Sequence, residues 1–252
     1  MNLLLDIGNT RTKIVISKNN EFIYFLHIQS SNFDLFQNEI NKVTSLFNEI
    51  SDVIVSNVSK ENEILNDFLK EIFKNIIFFT QKTYIPIKNL YKTPQTLGKD
   101  RLAAVVGAWS LFENENILIF DAGTALTIDF INKKGEYLGG NISPGLSLRY
   151  KALNLFTGNL PELIPDSNFE QVIGNTTNSA ITAGVQNGIF YECKTYIEKF
   201  SAQYENLKVI FTGGDTIFFE NKFKKNIFAE ENLVLIGLNK ILECNRELRI
   251  RN

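Results

Sequence analysis

The chain has 252 residues, 44% of them hydrophobic and 21% charged, with a formal net charge of -2. That length supports one large domain or two modest ones, and the balance of apolar to charged residues excludes an intrinsically disordered chain. A near-neutral charge with no dense Lys/Arg block gives no electrostatic case for nucleic acid, and no apolar run reaches the length of a bilayer span; a cytoplasmic protein with neither a nucleic-acid nor a membrane partner is expected.

The first element sets the pattern for the rest. Leu3, Leu4 and Leu5 form an apolar run that breaks at Asp6-Ile7-Gly8-Asn9-Thr10 and resumes as a β-rich segment through Lys13, Ile14, Val15 and Ile16. This reads as strand, tight turn, strand. The turn carries a carboxylate at the strand end, a glycine whose missing Cβ lets backbone amides approach a ligand, and then Asn9 and Thr10 as donors. Such a turn can hold a phosphate and leave Asp6 free to face a metal.

A third strand is expected over Glu21–Gln29, and Phe33, Phe36, Ile40, Val43 and Phe47 fall at helical spacing. Asp52–Asn57 reads as a strand, Lys60–Lys74 as a helix and Ile76–Phe79 as a short strand. Pro86–Gly98 is irregular and carries Tyr91 and Pro94. It ends at Gly98-Lys99-Asp100-Arg101, where a helix begins with Leu102, Val105, Val106 and Trp109 on one face. The first turn of a helix has unpaired N–H groups and a partial positive charge, which favour an ionised carboxylate. Asp100 can be a capping acid and Arg101 a solvated charge, or the pair can belong to a site.

Asn116–Ile131 repeats the opening construction, with Asp121-Ala122-Gly123-Thr124-Ala125 between two β-rich segments. Gly139–Gly145, GGNISPG, reads as a loop before a helix near Leu146–Leu155; it can serve close approach to a ligand or simply join two elements. A long helix follows Ile173–Thr177, with Ile181, Val185, Ile189, Cys193, Ile197 and Phe200 on its apolar face. Gly184 and Gly188 on that helix would permit close packing inside the fold or against another subunit. Val209–Asp215, VIFTGGD, is a third strand-to-glycine turn, and Leu233–Leu238, LVLIGL, reads as a last buried strand feeding a terminal helix.

Cys193 and Cys244 lack the spacing of a zinc site or a disulfide framework, so buried apolar roles are expected. His27, the only histidine, lies in a strand with no obvious acid or nucleophile partner, which leaves a carboxylate as the expected general base. Two Asp-x-Gly turns in matched contexts divide the chain into similar halves, 1–115 and 116–252. Two such hairpins across a cleft can grip the phosphates of one nucleotide, with their carboxylates left for cations. Neither GxxxxGK[ST] nor a GxGxxG opening a helix is present.

These motifs resemble the superfamily of acetate and sugar kinases, Hsp70 and actin. More narrowly, the chain resembles the type III pantothenate kinases. The resemblance rests on DIGNT at Asp6–Thr10, the spaced Tyr91, Pro94 and GKDR, DAGTALTID at Asp121–Asp129, GGNISPG, Leu160-Pro161, the Thr177 to Gly184 spacing, TGGD and Gly237-Leu238. It implies an α/β fold of two similar mixed-sheet halves of the actin-like kind with a nucleotide cleft between them, the second half adding an adenosine loop. It also implies ATP-dependent phosphorylation of the primary hydroxyl of pantothenate to 4'-phosphopantothenate, the first step of coenzyme A biosynthesis.

By the same resemblance, Asp6, Ile7, Gly8, Asn9, Thr10, Arg11, Thr12 and Lys13 hold the ATP phosphates, with Asp6 near Mg2+, and Thr124 binds phosphate from the second hairpin. Asp121 matches a monovalent-cation ligand, for K+ or NH4+. Tyr91, Gly98, Lys99, Asp100 and Arg101 match the pantothenate site, with Asp100 as proton acceptor and Arg101 able to pair with the substrate carboxylate. Lys99 stands at the variable position of the family's G-x-D-R motif. Thr177 matches a residue that reaches the substrate across the interface of a homodimer, with Thr176 beside it as a competing alignment. Two other readings stand: a non-catalytic regulator of the same fold, like the Bvg accessory factor proteins, and a kinase of another small alcohol or acid.

Overall fold

The computed structural model describes residues 1–58, 63–223 and 227–251. The chain divides into two units, Met1–Ser110 with Val234–Asn252, and Leu111–Leu233. The last helix is thus grouped with the first unit, where a division at residue 115 would assign it to the second.

The first unit is built on strands β1 (Asn2–Ile7), β2 (Arg11–Lys18), β3 (Glu21–Gln29), β4 (Asp52–Asn57) and β5 (Ile76–Phe78) in the order β3-β2-β1-β4-β5. β1 runs antiparallel to β2 and parallel to β4, β3 is antiparallel to β2, and β5 is parallel to β4. Alternation along the strands sends Leu3, Leu5, Ile7, Ile14, Ile16, Val53 and Val55 to one face. There they pack on Phe36, Ile40 and Val43 of α1 (Phe33–Leu46) and on Leu65 and Leu69 of α2 (Glu63–Ile72). The helix expected from Lys60 begins at Glu63 among the described residues, and 60–62 lie outside them. The side chain of Asn32 caps α1 by accepting from the Leu35 N–H at 2.9 Å.

The opposite face carries Leu4, Asp6, Lys13, Val15, Ile54 and Ser56, by the pairing register. Helix α7 (Leu233–Arg251) reaches this face: the Asn2 amide donates to Asn239 Oδ1 at 2.8 Å, and Arg246 and Arg249 approach Asp52 at 4.0 and 3.9 Å. Helix α3 (Lys99–Leu111) is buried from Arg101 through Ala108. It meets α7 so closely that a Cβ on Gly237 would lie 1.8 Å from the Ala103 carbonyl oxygen. Leu233–Leu238 is therefore the first part of α7 and not a strand. Between β5 and α3 the chain makes a two-residue strand, β6 (Lys88–Asn89), and a 3₁₀ turn over Pro94–Thr96.

The second unit repeats the plan. Its strands β7 (Ile117–Ala122), β8 (Ala125–Ile131), β9 (Glu136–Pro144), β10 (Lys208–Thr212) and β11 (Phe228–Ala229) lie in the order β11-β10-β7-β8-β9. β7, β8 and β9 form an antiparallel meander, and β10 and β11 continue parallel beside β7. Read from the meander edge, this is the strand order and sense of the first unit, and Asp121 occupies the place of Asp6. The core joins Leu118, Phe120, Leu126, Ile128 and Phe130 to α4 (Leu146–Phe156), α5 (Thr177–Gln203) and α6 (Thr216–Phe223), with Phe120 and Phe211 stacked at 4.5 Å between ring centroids.

GGNISPG is not the expected loop: all but its last residue belongs to β9. Gly140 is required there because a Cβ would sit 1.9 Å from the Ile128 carbonyl oxygen and 2.6 Å from Asp129 Oδ1. The space it leaves holds the buried Asp129, which accepts a 2.6 Å hydrogen bond from Tyr137 Oη. Gly184 and Gly188 meet nothing within 4 Å, so neither serves close packing inside the fold. Both cysteines are free thiols, Cys193 buried and Cys244 half-buried. Among the described residues no helix is long and apolar enough to cross a membrane.

Candidate active site

The first hairpin delivers Asp6 at the end of β1, paired across the ladder with Lys13 on β2 and Ser56 on β4. Its turn closes through the Gly8 N–H donating to the Arg11 carbonyl at 3.0 Å. Asn9, Thr10 and Arg11 are exposed, whereas Ile7 is in the core and the buried Thr12 shares a 3.0 Å hydrogen bond with Ser30. The side chains of Ile7 and Thr12 are thus committed to the fold, and only their backbone is left to the turn. Burial pushes the Asp6 carboxyl up to about 6; Lys13 opposes the shift and Asp100 adds to it. Asp6, Lys13 and Asp100 therefore share one electrostatic environment within this unit.

Asp100 lies in the first turn of α3, where its carboxylate accepts from the Arg101 N–H at 2.9 Å. The neighbouring Lys99 ammonium donates to the Asn57 carbonyl at the end of β4, at 2.9 Å. This link ties the start of α3 to the strand beside Asp6. Sequence patterning had no means of finding it, because the partner is a backbone atom of a distant strand. Arg101 is only 5% exposed, and its guanidinium lies 5.8 Å from the centroid of the Tyr91 ring. Asn89 fixes the Tyr91 backbone by accepting from its N–H at 2.9 Å. Tyr91, Gly98, Lys99, Asp100 and Arg101, scattered over eleven positions of irregular chain and helix start, thus belong to the same unit as the first hairpin.

The second unit holds Asp121, Thr124 and Thr177. The Gly123 N–H donates to the Ala125 carbonyl at 3.0 Å, and the Gly145 N–H donates to the Thr124 carbonyl at 3.0 Å. Gly145 has to be glycine, because a Cβ there would lie 2.0 Å from the Gly123 carbonyl oxygen. From the other side the TGGD turn closes on Asp121. Gly213 has φ +92° and brings its Cα against the Asp121 carboxylate and the Ala122 carbonyl, and the Asp215 N–H donates to that carbonyl at 2.9 Å. Burial raises the Asp215 carboxyl above its ordinary range. Thr124 is exposed.

At the start of α5 the two candidate threonines have different surroundings. Thr176 is the N-cap: its hydroxyl accepts from the Ser179 N–H at 3.2 Å and lies 2.9 Å from Ser179 Oγ in a capping box. Thr177 is exposed and makes no side-chain hydrogen bond among the described residues.

A family model described as type III pantothenate kinase matches residues 2–199. The chain belongs to the type III pantothenate kinase family. A type III pantothenate kinase of Bacteroides fragilis (strain YCH46) is 40% identical over 245 residues, covering 97% of this chain and 98% of that one. One from Phocaeicola vulgatus is 41% identical over 248 residues, covering 98% of this chain and all of the other. Among solved structures, a Campylobacter jejuni protein described as a Baf family transcriptional activator is 26% identical, with TM-score 0.65 over 97% of this chain and 99% of that one.

Two more distant structures speak to fold alone. The activator of the 2-hydroxyisocaproyl-CoA dehydratase from Clostridium difficile with bound ADPNP is 13% identical, with TM-score 0.56 over 98% of this chain and 97% of that one. A glucokinase from an Antarctic psychrotroph is 13% identical, with TM-score 0.51 over 96% of this chain and 98% of that one. The paired meanders and these likenesses place this type III pantothenate kinase family member in the actin-like ATPase and sugar-kinase fold class, as the resemblance implies.

Proposed function

We propose that the chain is an ATP-dependent kinase that phosphorylates the primary hydroxyl of pantothenate to 4'-phosphopantothenate, opening coenzyme A biosynthesis. The observation that carries the reading is the corner of the first unit where Asp100 stands at a helix N-terminus beside the buried Arg101 and within electrostatic reach of Asp6, which also feels Lys13. A phosphate hairpin, a proton acceptor and a carboxylate-binding guanidinium are the parts this transfer needs.

In this reading the turn from Gly8 to Arg11 and Lys13 bind and orient the phosphates of ATP, and Thr124 is the phosphate-binding residue of the second hairpin. Asp6 would hold Mg2+ together with phosphate oxygens, a donor set that suits an ion satisfied by one or two carboxylates plus phosphate; bound there it neutralises charge on the β- and γ-phosphates. Arg101 pairs with the pantothenate carboxylate and Tyr91 walls the site. Asp100 takes the hydroxyl proton as the oxygen attacks the γ-phosphorus, and the bond to the β-bridging oxygen breaks to release ADP.

Asp121 and the carbonyl of Ala122 are oxygen donors suited to a monovalent cation such as K+ or NH4+. Thr177 is the better-supported of the two threonines for reaching a substrate, since the Thr176 hydroxyl is engaged in the cap. A homodimer in which this residue crosses to the neighbouring site, and a cytoplasmic location, belong to the same reading.

The test is an ADP-release assay on purified protein with and without pantothenate and with and without K+, run beside a panel of other small alcohols and acids. Pantothenate-dependent ADP that rises with K+ is expected. A folded protein that releases no pantothenate-dependent ADP would overturn the proposal in favour of a binding protein.

A further inference from the structure

The pairing register places three charged or titratable side chains in one row on one face of the first sheet. Asp6 is opposite Lys13, and Lys13 is opposite His27. Directly opposed residues in an antiparallel pair have Cβ atoms about 4.5–5.5 Å apart and point to the same side. The row opens outward: Asp6 and Lys13 are half-buried and His27 is exposed.

Among the described residues β3 is the edge of the sheet and β2 the only strand beside it, and β2 presents Lys13 and Arg11 to the imidazole. On β3 itself Phe25 shares the face of His27, with ring centroids 4.8 Å apart, and limits how the imidazole can turn. The imidazole makes no hydrogen bond among the described residues. Burial, then Lys13, then Arg11 hold it below its ordinary pKa. A ring with a free N–H, two cations from the neighbouring strand and an aromatic stop behind it suits an anion that shares Lys13.

We propose that His27 is a further phosphate-binding residue of the nucleotide site, donating an imidazole N–H to a phosphate oxygen of ATP alongside Lys13. The inference rests on the reading of Asp6–Lys13 as the phosphate hairpin. Burial and then two neighbouring cations disfavour the protonated ring in the free protein; a triphosphate beside those cations reverses the local field and favours protonation of the ring as ATP binds.

Because the chain has one histidine, its ring Cε1–Hε1 pair gives a single signal in a 1H–13C spectrum, free of assignment. The signal is titrated against pH in the full-length protein alone, with ATP and Mg2+, and with AMP and Mg2+, while calorimetry records binding of ATP. The expected result is an upward move of the imidazole midpoint by about one pH unit with ATP and none with AMP. His27→Gln should raise KM for ATP about fivefold with kcat little changed, whereas His27→Lys should keep KM near the wild-type value. An unchanged midpoint in a protein that shows ATP heat overturns this inference and leaves the hairpin reading standing. Absence of any ATP heat overturns both.

Discussion

A Cβ at position 98 would lie 2.4 Å from Asp100 Oδ1, so the absence of a side chain on Gly98 is what lets the Asp100 carboxylate fold back over the start of α3. The obstructed atom is the end of a side chain that can swing aside, so Gly98→Ala should fold with nearly unchanged thermal stability. The displaced carboxylate should still cost about 10- to 100-fold in kcat, as a misplaced catalytic group does. Parallel thermal melts and steady-state kinetics check the split; an unchanged kcat would show that Gly98 does not set the position of Asp100.

Asp100→Asn keeps the shape of the side chain and its acceptor oxygen for the Arg101 N–H but removes the base. Its fold and ATP binding should stand while kcat falls ~100- to 10,000-fold. Calorimetric ATP affinity beside single-turnover rates separates the two effects. Full turnover in this variant would remove the proton-acceptor role.

Burial raises the Asp6 carboxyl from 3.8 to about 6, with Lys13 lowering it and Asp100 adding to the rise. Between those two values the folded chain keeps a proton that the unfolded chain has released. The contribution of this group to stability is therefore full below about 4 and is lost as pH rises through about 6. Asp6→Asn, which stays neutral, should melt higher than wild type near pH 7.5 and no higher near pH 4, in ligand-free protein. Parallel melting curves that never separate with pH would contradict the burial of this charge.

Gly237→Ala addresses packing far from the chemistry. Its Cβ would fall 1.8 Å from the Ala103 carbonyl oxygen and 2.9 Å from the Gly107 nitrogen. Backbone cannot yield as a side-chain end does, so α7 and α3 must separate. A loss of about 1–3 kcal/mol is expected, read from urea unfolding midpoints, with the m-value unchanged. An alanine that costs nothing would mean that the two helices are not held at this distance in solution.

The hairpins were legible because alternation and glycine turns are local signals. Asp6 and Asp121 stand at their strand ends where the sequence pattern puts them, and the helix start at Lys99 follows from its apolar spacing. The misreadings have identifiable physical causes. Leu233–Leu238 is a short run of apolar residues, and burial on all sides gives strand and helix the same appearance in so short a window. The deciding fact is the contact of Gly237 with α3, more than a hundred residues away in sequence. Gly139 and Gly140 look like loop formers, yet Gly140 is a strand residue whose missing side chain makes room for Asp129. The Lys99 link to Asn57 depends on where α3 packs, and the Asp129–Tyr137 pair and the row from Asp6 to His27 depend on register; no single segment encodes either.

The first unit is assembled from both ends of the chain, Met1–Ser110 and Val234–Asn252, while the second is continuous from Leu111 to Leu233. During synthesis the second unit therefore has every residue of its own core in hand before the first one does. Until α7 emerges, Asn2 lacks the amide of Asn239 and Asp52 lacks Arg246 and Arg249. The unit that carries Asp6 and Asp100 begins first and closes last, so a ribosome that stops short of Val234 releases a chain whose candidate base stands on an unfinished scaffold.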